Sequence, residues 1–357
     1  MLIALRIPFQ AQPLPDGERF LGANVCGSCH PAEYQRQSLS GHARTLHRAS
    51  EHPLADSFVP AQSLIRPPEY RFRYREEGGQ ITVQADDNEY VMELPIEWAF
   101  GAGDHGVTFV SRMNRRTYLE HAFSYYSASD SLELTTGHES IRPETLVQAT
   151  GLSYTVQGPG NSISDCFECH STGPLSYSPQ QEVMVNELGV RCESCHGPGG
   201  SHVAAAVAGN AAFARSRIRN PVRLPADDLL RFCGACHRDP RGDSGHFDLG
   251  LAWNVRHQPP YLRQSRCFQA SGEDLTCFTC HDPHDPIRRG DPAYYRDRCV
   301  ACHDGALRSA PAEACGAGMP ADCTVCHMPE VAVSPNLKFK NHWIGVYPAD
   351  GGLKPAR

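Results

Sequence analysis

One short pattern constrains the fold of this chain more than any other feature: two cysteines separated by two residues, with a histidine directly after the second. It occurs seven times in 357 residues, at 26–30, 166–170, 192–196, 233–237, 277–281, 299–303 and 323–327. Random placement of the 16 cysteines and 18 histidines would give roughly 0.04 such matches. The repeat therefore reflects a chemical requirement and not the composition.

Cys-x-x-Cys-His is the attachment pattern of c-type haem, in which both thiols bond the porphyrin and the adjoining histidine is the proximal iron ligand. Zinc sites also use Cys-x-x-Cys pairs, but they do not need a histidine after every second cysteine. We therefore predict seven covalent haem c groups. The predicted attachment cysteines are Cys26, Cys29, Cys166, Cys169, Cys192, Cys195, Cys233, Cys236, Cys277, Cys280, Cys299, Cys302, Cys323 and Cys326. The predicted proximal iron ligands are His30, His170, His196, His237, His281, His303 and His327.

Haem also explains how so polar a chain could be compact. Aromatic residues make up only 8%, and the mean hydropathy is -0.43. Each porphyrin offers a flat apolar surface that the chain can wrap instead of building a side-chain core. With 31 glycines and 28 prolines as breakers, we expect mainly short α-helices and irregular loops around the seven haems.

A segment of different character separates the first two motifs. Residues 70–75 and 80–84 alternate polar and apolar side chains on either side of a Glu-Glu-Gly-Gly turn, which predicts a β-hairpin. Further strands are predicted at 89–94, 107–112, 117–126 and 131–136. Together they predict an inserted antiparallel meander of about five or six strands, and hence an α+β fold. The predicted parts are an N-terminal segment with the first haem (1–64), a β-rich insertion (65–157) and a domain with six haems (158–357).

The charge argues against nucleic acid as a partner, since the formal net charge is -7 and haem propionates add to it. Of the 33 basic residues only three are lysines. Arginine suits propionates, because its planar fork can bind a carboxylate with two hydrogen bonds. A GC-rich genome would explain the excess of arginine equally well.

Covalent haem of this type predicts an exported protein, periplasmic or extracellular. Residues 1–9 are apolar but do not form a convincing signal peptide, so we expect either a presequence already removed or a true start upstream. No run approaches 18 apolar residues, which argues against a membrane span. No cysteine outside the haem motifs lies near the N-terminus, which argues against a lipid anchor there.

Five stretches carry a resemblance to a known family. They are GHARTL at 41–46, AFGAGDHGVTF at 99–109, GVRCESCHGPGGSH at 189–202, LTCFTCHDPH at 275–284 and CTVCHMPE at 323–330. They resemble the cytochrome c554 superfamily, and in particular its heptahaem-type members with a β-rich segment between the first two haems. The resemblance implies an electron carrier, related to haem enzymes that act on nitrogen oxides.

Eleven histidines lie outside the motifs, and each is a candidate for the second axial position of an iron. The resemblance implies that His202 binds the iron held by His30, and that His42 binds the iron held by His196. The expected distal ligands are His42, His202, His246, His257, His284 and His342. His284 follows the Asp-Pro turn at 282–283, which we expect to turn its imidazole toward a neighbouring haem, and His342 stands beside Trp343 in an otherwise polar tail. Methionine ligation is the alternative, but the six methionines are less suitably placed.

The remaining histidines are expected to have other roles. His47, His52 and His121 are expected at the surface, whereas His105 and His138, at turns of the β segment, remain open as ligands. The resemblance implies that the haem held by His170 has no second protein imidazole on its distal side. The competing interpretation is that His105 or His138 closes that iron.

Electron transfer between redox partner proteins is therefore the expected function. The alternative is a reductase or oxidase of a small nitrogen or sulfur species at one five-coordinate haem, so whether the chain is an enzyme stays open. Neither the donor and acceptor nor the oligomeric state, including a filament, follows from the sequence. Two cysteines remain outside the motifs, and in an oxidising compartment we expect a Cys267–Cys315 disulfide.

Overall fold

The computed structural model describes residues 19–158, 160–239, 247–309, 322–348 and 352–356. Most helices in these ranges are short, as the sequence predicts. They are α1 (Ala23–Gly27), α2 (Pro31–Ser38), α3 (Leu146–Thr150), α4 (Ser164–His170), α5 (Cys192–His196), α6 (Gly200–Val207), α7 (Ala211–Ser216), α8 (Ala226–His237), α9 (Gln258–Gln264), α10 (Arg266–Ser271), α11 (Cys277–Cys280), α12 (Pro292–Ser309) and α13 (Thr324–His327). Single 3₁₀ turns lie at Ala49–Glu51, Ala55–Phe58, Pro221–Arg223 and Ala252–Arg256.

The strands concentrate in the segment between the first two motifs. They are β1 (Leu46–Arg48), β2 (Leu64–Arg66), β3 (Tyr70–Glu77), β4 (Gln80–Asp86), β5 (Val91–Pro95), β6 (Trp98–Phe100), β7 (Gly106–Arg112), β8 (Thr117–Tyr126), β9 (Ser131–Leu134) and β10 (Gly151–Thr155). Shorter strands follow: β11 (Ser171–Thr172), β12 (Ser176–Tyr177), β13 (Val183–Met184), β14 (Glu187–Leu188), β15 (Glu330–Ser334) and β16 (Leu337–Lys340). The described residues thus have the predicted α+β class.

The β-rich segment forms two antiparallel sheets, where the sequence predicted one meander. One sheet has the order β2-β3-β4-β5, and the other has the order β1-β6-β7-β8-β10 with β9 also paired to β8. The predicted hairpin is β3 and β4, joined through Gly78 and Gly79, whose φ angles of 61° and 81° suit a tight hairpin turn. The chain changes sheets between β5 and β6, a step that local alternation does not reveal.

A hydrophobic core lies between the two sheets. Phe72 and Val83 enter it from the four-stranded sheet, and Phe109 and Phe123 enter it from the six-stranded sheet. In β3 buried and exposed residues alternate strictly at its start, because one face of this sheet packs on the core while the other faces solvent. The period-two pattern that predicted these strands therefore has this core as its cause.

The six-stranded sheet is covered on its other face as well. Helix α4 packs there through Phe167, whose ring centroid lies 5.1 Å from that of Trp98 and 5.0 Å from that of Phe100. Tyr118 of β8 belongs to the same hydrophobic cluster. Because α4 carries the second cysteine motif, this packing fixes that motif against the β-rich segment.

Candidate haem sites

Every cysteine motif lies at least partly on a helix. Helices α4 and α12 contain whole motifs, α5 coincides with one, and α8 ends on the histidine of another. Residues three apart lie on one face of a helix, so the two thiols of a motif point the same way. At the first motif the backbone N–H of His30 donates to the carbonyl of Cys26 over 2.9 Å, which continues the turn beyond α1.

Four pairs of imidazole rings face each other at nearly the same separation, and each pair combines a motif histidine with a predicted distal histidine. An iron bonded to one nitrogen of each ring, at about 2 Å per bond and with about 1 Å from nitrogen to ring centre, would hold the centroids roughly 6 Å apart. The rings present therefore fit the cofactor. The pairs are His30 with His202 at 6.4 Å, His42 with His237 at 6.0 Å, His196 with His284 at 6.1 Å, and His281 with His342 at 6.3 Å.

In five of the predicted ligand histidines, the pattern of hydrogen bonds leaves Nε2 free to bind an iron. In each of five predicted ligands Nδ1 lies within hydrogen-bonding distance of a backbone carbonyl and can donate to it, which leaves Nε2 with an available lone pair. The contacts are His170 with Thr45 at 3.0 Å, His196 with Arg219 at 2.7 Å, His202 with Ala214 at 2.8 Å, His327 with Gly345 at 2.9 Å, and His342 with Lys340 at 3.0 Å.

Five described histidines that lie outside the motifs and are not among the predicted distal ligands use Nε2 itself in a hydrogen bond, so that nitrogen is not available to an iron. The contacts are His47 with the Arg44 carbonyl at 3.1 Å, His52 with the Gly101 carbonyl at 3.1 Å, His105 with Arg289 at 2.9 Å, His121 with Ser111 at 2.7 Å, and His138 with Glu120 at 3.0 Å. His47 and His52 also touch directly, with centroids 4.7 Å apart.

Burial favours the neutral form of two of the predicted distal imidazoles, those of His42 and His342. Burial, and then the charges of His237 and His281, lower the pKa of His42 to about 4. Burial, followed by the charge of His281, likewise lowers the pKa of His342 to about 4. A neutral imidazole has a lone pair to give a metal, whereas a protonated one does not.

Two sequence-based expectations need correction. His42 lies beside His237, whereas the resemblance implied His196, whose ring faces His284 instead. His52 and His121 are buried and not at the surface, because the sheets cover both. The ring of His257 contacts that of Phe247, and the charge of the motif histidine His237 also acts on it, so its ligand role stays a prediction. His246 and Cys315 lie outside the described residues, so the ligand role of the first and the disulfide of the second stay predictions.

Thiols of different motifs meet and give the order of the sites. In four pairs, thiols of different motifs lie close enough for one to shift the pKa of the other: Cys26 with Cys192, Cys169 with Cys236, Cys233 with Cys277, and Cys299 with Cys323. Burial, and then the charge of Cys236, raise the pKa of Cys195 to about 11, which places the third motif near the fourth. Burial, and then the charges of Cys323 and Cys280, raise the pKa of Cys299 to about 11, so the fifth, sixth and seventh motifs are also neighbours. The second motif meets only the fourth in these contacts.

In the described ranges, no group of three or more His, Cys, Asp or Glu side chains is placed so that it could hold a metal ion. A tetrahedral zinc site needs four such ligands.

The second motif differs from most of the others in the residues that surround its histidine. His170 is partly buried, and its Nδ1 lies 2.6 Å from the hydroxyl of Thr45, while the ring of Phe100 lies edge-on with centroids 5.3 Å apart. In the part of the chain that the structure describes, no imidazole ring contacts His170, and the same holds for His303 and His327. His105 and His138 each use Nε2 in a hydrogen bond elsewhere, so neither offers that nitrogen to this iron, whereas Nδ1 of His138 has no hydrogen-bond partner among the described residues.

Beside the second motif lies a polar cluster that the sequence analysis missed. Glu120 of β8 contacts His138 over 3.0 Å and accepts a hydrogen bond from the hydroxyl of Tyr154 over 3.2 Å. Burial, and then the charges of Glu120 and Asp165, raise the pKa of Cys166 to about 12. An acidic residue inside the otherwise apolar strand sequence TYLEHAFSYY was the available signal.

Comparison with known proteins agrees with this geometry. Residues 127–197, about a fifth of the chain, match the family model described as cytochrome c554 and c-prime, and they include two of the cysteine motifs. The chain is a multihaem c-type cytochrome. Covalent haem c is accordingly the cofactor of this cytochrome, in line with its cysteine motifs and paired imidazoles.

Other comparisons add little about the cytochrome. A solved structure entitled outer cell wall cytochrome OcwA is 14% identical, with 91% of this chain and 79% of that chain covered, at a TM-score of 0.49. Identity and score this low do not assign a shared fold. No curated protein matches the chain. Within the described residues, the cytochrome has no helix that is both long and apolar enough to span a membrane.

Proposed function

We propose that this chain is an exported heptahaem cytochrome c that transfers electrons along closely spaced, mostly bis-histidine haems. The observation that carries the proposal is the set of four imidazole pairs separated by about the span of two iron–nitrogen bonds. Imidazole on both sides of an iron leaves no position for a substrate, which suits an electron carrier. Export follows from covalent haem attachment, and redox proteins are the expected partners.

The order of the motifs supports a continuous route. Thiol contacts and shared charge effects link the first motif to the third, the third to the fourth, and then the fifth, sixth and seventh in sequence. Haem supplies one-electron chemistry at its iron. The protein holds each group by two thiols and one histidine, and places the next attachment site beside it.

Two measurements on the purified protein test this proposal. Potentiometric titration, followed at the haem absorbance bands, should show every haem oxidised and reduced reversibly by one electron. EPR of the oxidised protein should show mainly low-spin haem, as two imidazole ligands require. A majority of high-spin haem would contradict the proposed bis-histidine chain.

A second candidate function is redox chemistry on a small nitrogen or sulfur species at the haem held by His170. Two observations favour it: no described imidazole faces His170, and its motif meets only the fourth motif and so lies beside the main route. Such a position suits a terminal site, where electrons leave the chain to a ligand.

Ligand binding distinguishes this candidate from electron transfer alone. Cyanide and NO should bind one haem rapidly in the wild-type protein, and a high-spin EPR signal from that haem should persist in His138→Ala and His105→Ala variants. A purely low-spin wild-type spectrum that turns partly high-spin in either variant would reject the open site. Electron transfer would then remain as the proposed function.

A further inference from the structure

The side chains of Glu120, His138 and Tyr154 form a hydrogen-bonded cluster that the proposed electron route does not use. The carboxylate of Glu120 is shared, because one oxygen contacts Nε2 of His138 at 3.0 Å and the other accepts from Tyr154 at 3.2 Å. His138 is 1% exposed. Glu120 and His138 therefore lie within hydrogen-bonding distance of each other, a separation across which a proton can move.

His138 is also incompletely satisfied. Its Nδ1 is buried and has no hydrogen-bond partner among the described residues. An unpaired buried nitrogen costs free energy, so such groups call for an explanation such as a redox or catalytic role or a bound water. The other ring nitrogen is held by Glu120, which keeps this imidazole oriented.

The cluster adjoins the attachment site of the second haem. The charges of Glu120 and Cys166 both act on Tyr154, and Tyr154 and Cys166 pack against the same hydrophobic cluster that α4 forms with the six-stranded sheet. Cys166 is one of the two thiols that hold the haem of His170. A change of charge at that haem is therefore felt by the Glu120 carboxylate through a poorly solvated region.

Few other ionisable groups face the cluster. Arg66 is buried and its Nη2 lies 3.5 Å from the backbone carbonyl of His138, while its Nη1 donates to the carbonyl of Ala149 over 2.7 Å. His121 feels the charge of His138 but hydrogen-bonds to Ser111. Asp165 adds a negative charge beside Cys166. An added electron would thus meet mainly acidic neighbours, which favours uptake of a compensating proton.

We propose that the Glu120–His138 pair is a proton acceptor coupled to reduction of the haem held by His170. When a one-electron donor, here the neighbouring haem held by His237, reduces that iron from ferric to ferrous, the pair takes one proton from solvent. Oxidation releases both the electron and the proton. This inference rests on the proposed function, and it gives the second site the proton that reduction of an oxidised nitrogen or sulfur species consumes.

Proton uptake by the intact, haem-loaded chain tests the inference. An electrochemically reduced viologen serves as electron donor, and a pH-indicator dye in weakly buffered solution reports the protons bound on complete reduction. Glu120→Gln and His138→Gln should each lower the uptake near neutral pH by up to about one proton per chain. Asp130→Asn is the matched control, because Asp130 also accepts from a tyrosine hydroxyl, that of Tyr125 over 2.7 Å, but belongs to the β8–β9 turn.

The outcomes separate the inference from the proposed function. Wild-type uptake in both cluster variants, or an equal loss in Asp130→Asn, would overturn it. Intact mass and far-UV circular dichroism check that each variant is loaded and folded, and Tyr154→Phe, which keeps the ring, offers a milder change with a partial loss expected. The high-spin EPR signal, recorded on the same samples, tests the open site independently of proton uptake.

Discussion

Among the described histidines with a hydrogen bond from a ring nitrogen, the predicted ligands use Nδ1, whereas Nε2 is engaged in the others. His202 donates from Nδ1 and faces His30, whereas His105 has its Nε2 beside Arg289. We expect His202→Ala to remove one axial ligand and to give one additional high-spin haem in the EPR spectrum. His105→Ala is the control and should leave the spectrum unchanged. Equal spectra for the two variants would contradict the assignment of His202.

His121 makes the pH dependence of stability testable at a residue outside the haem sites. Burial, and then the charge of His138, lower the pKa of His121 to about 3, below its ordinary value of 6.5. The unfolded chain therefore binds a proton that the folded chain excludes between these values. Stability should be complete above about pH 6.5 and should fall towards pH 3 by up to about 1.4 kcal/mol per pH unit.

Replacement of His121 by glutamine, which can still hydrogen-bond to Ser111, should flatten that dependence. Denaturant unfolding at a series of pH values, followed by circular dichroism, provides the measurement. If wild type and variant lose stability in parallel on acidification, His121 is not the group responsible.

At the scale of elements, helix α4 and the six-stranded sheet hold each other in place. Phe167 is fully buried between Trp98, Phe100 and Tyr118. Phe167→Ala should lower the free energy of unfolding by about 3–5 kcal/mol, because it removes buried apolar surface and leaves a cavity. Phe213→Ala, at a ring that is 52% exposed, should change it by no more than about 0.5 kcal/mol. Similar losses in both variants, measured by urea denaturation, would contradict this packing.

At the scale of the whole molecule, the proposed electron-transfer chain depends on the number of haems. Intact mass of fully matured protein should correspond to seven haems, one for each motif. Six or fewer would refute the assignment of haem to every motif. The same measurement with and without reductant, combined with alkylation, tests the expected disulfide, since two freely alkylated thiols at Cys267 and Cys315 would exclude it.

Whether a feature of this structure could be predicted from the sequence depends on how local that feature is. The β3–β4 hairpin was predictable because alternation and a two-glycine turn act over a few residues. The burial of His121 was not, because it depends on how the strands around β8 come together in three dimensions. The pairing of His42 with His237 spans 195 residues of sequence, and no local rule fixes it. By contrast, each motif histidine could be predicted because the two cysteines of its motif come just before it in the sequence.

Because α4 covers the six-stranded sheet, the order in which the chain is made affects how it folds and matures. A chain made and exported from its N-terminus completes strands β1 to β10 before the second motif follows. Until then the face that includes Trp98 and Tyr118 has no cover, and exposed apolar surface of that kind promotes aggregation. We expect maturation to be most vulnerable in this interval, when the second haem must be ligated and α4 must close over the sheet.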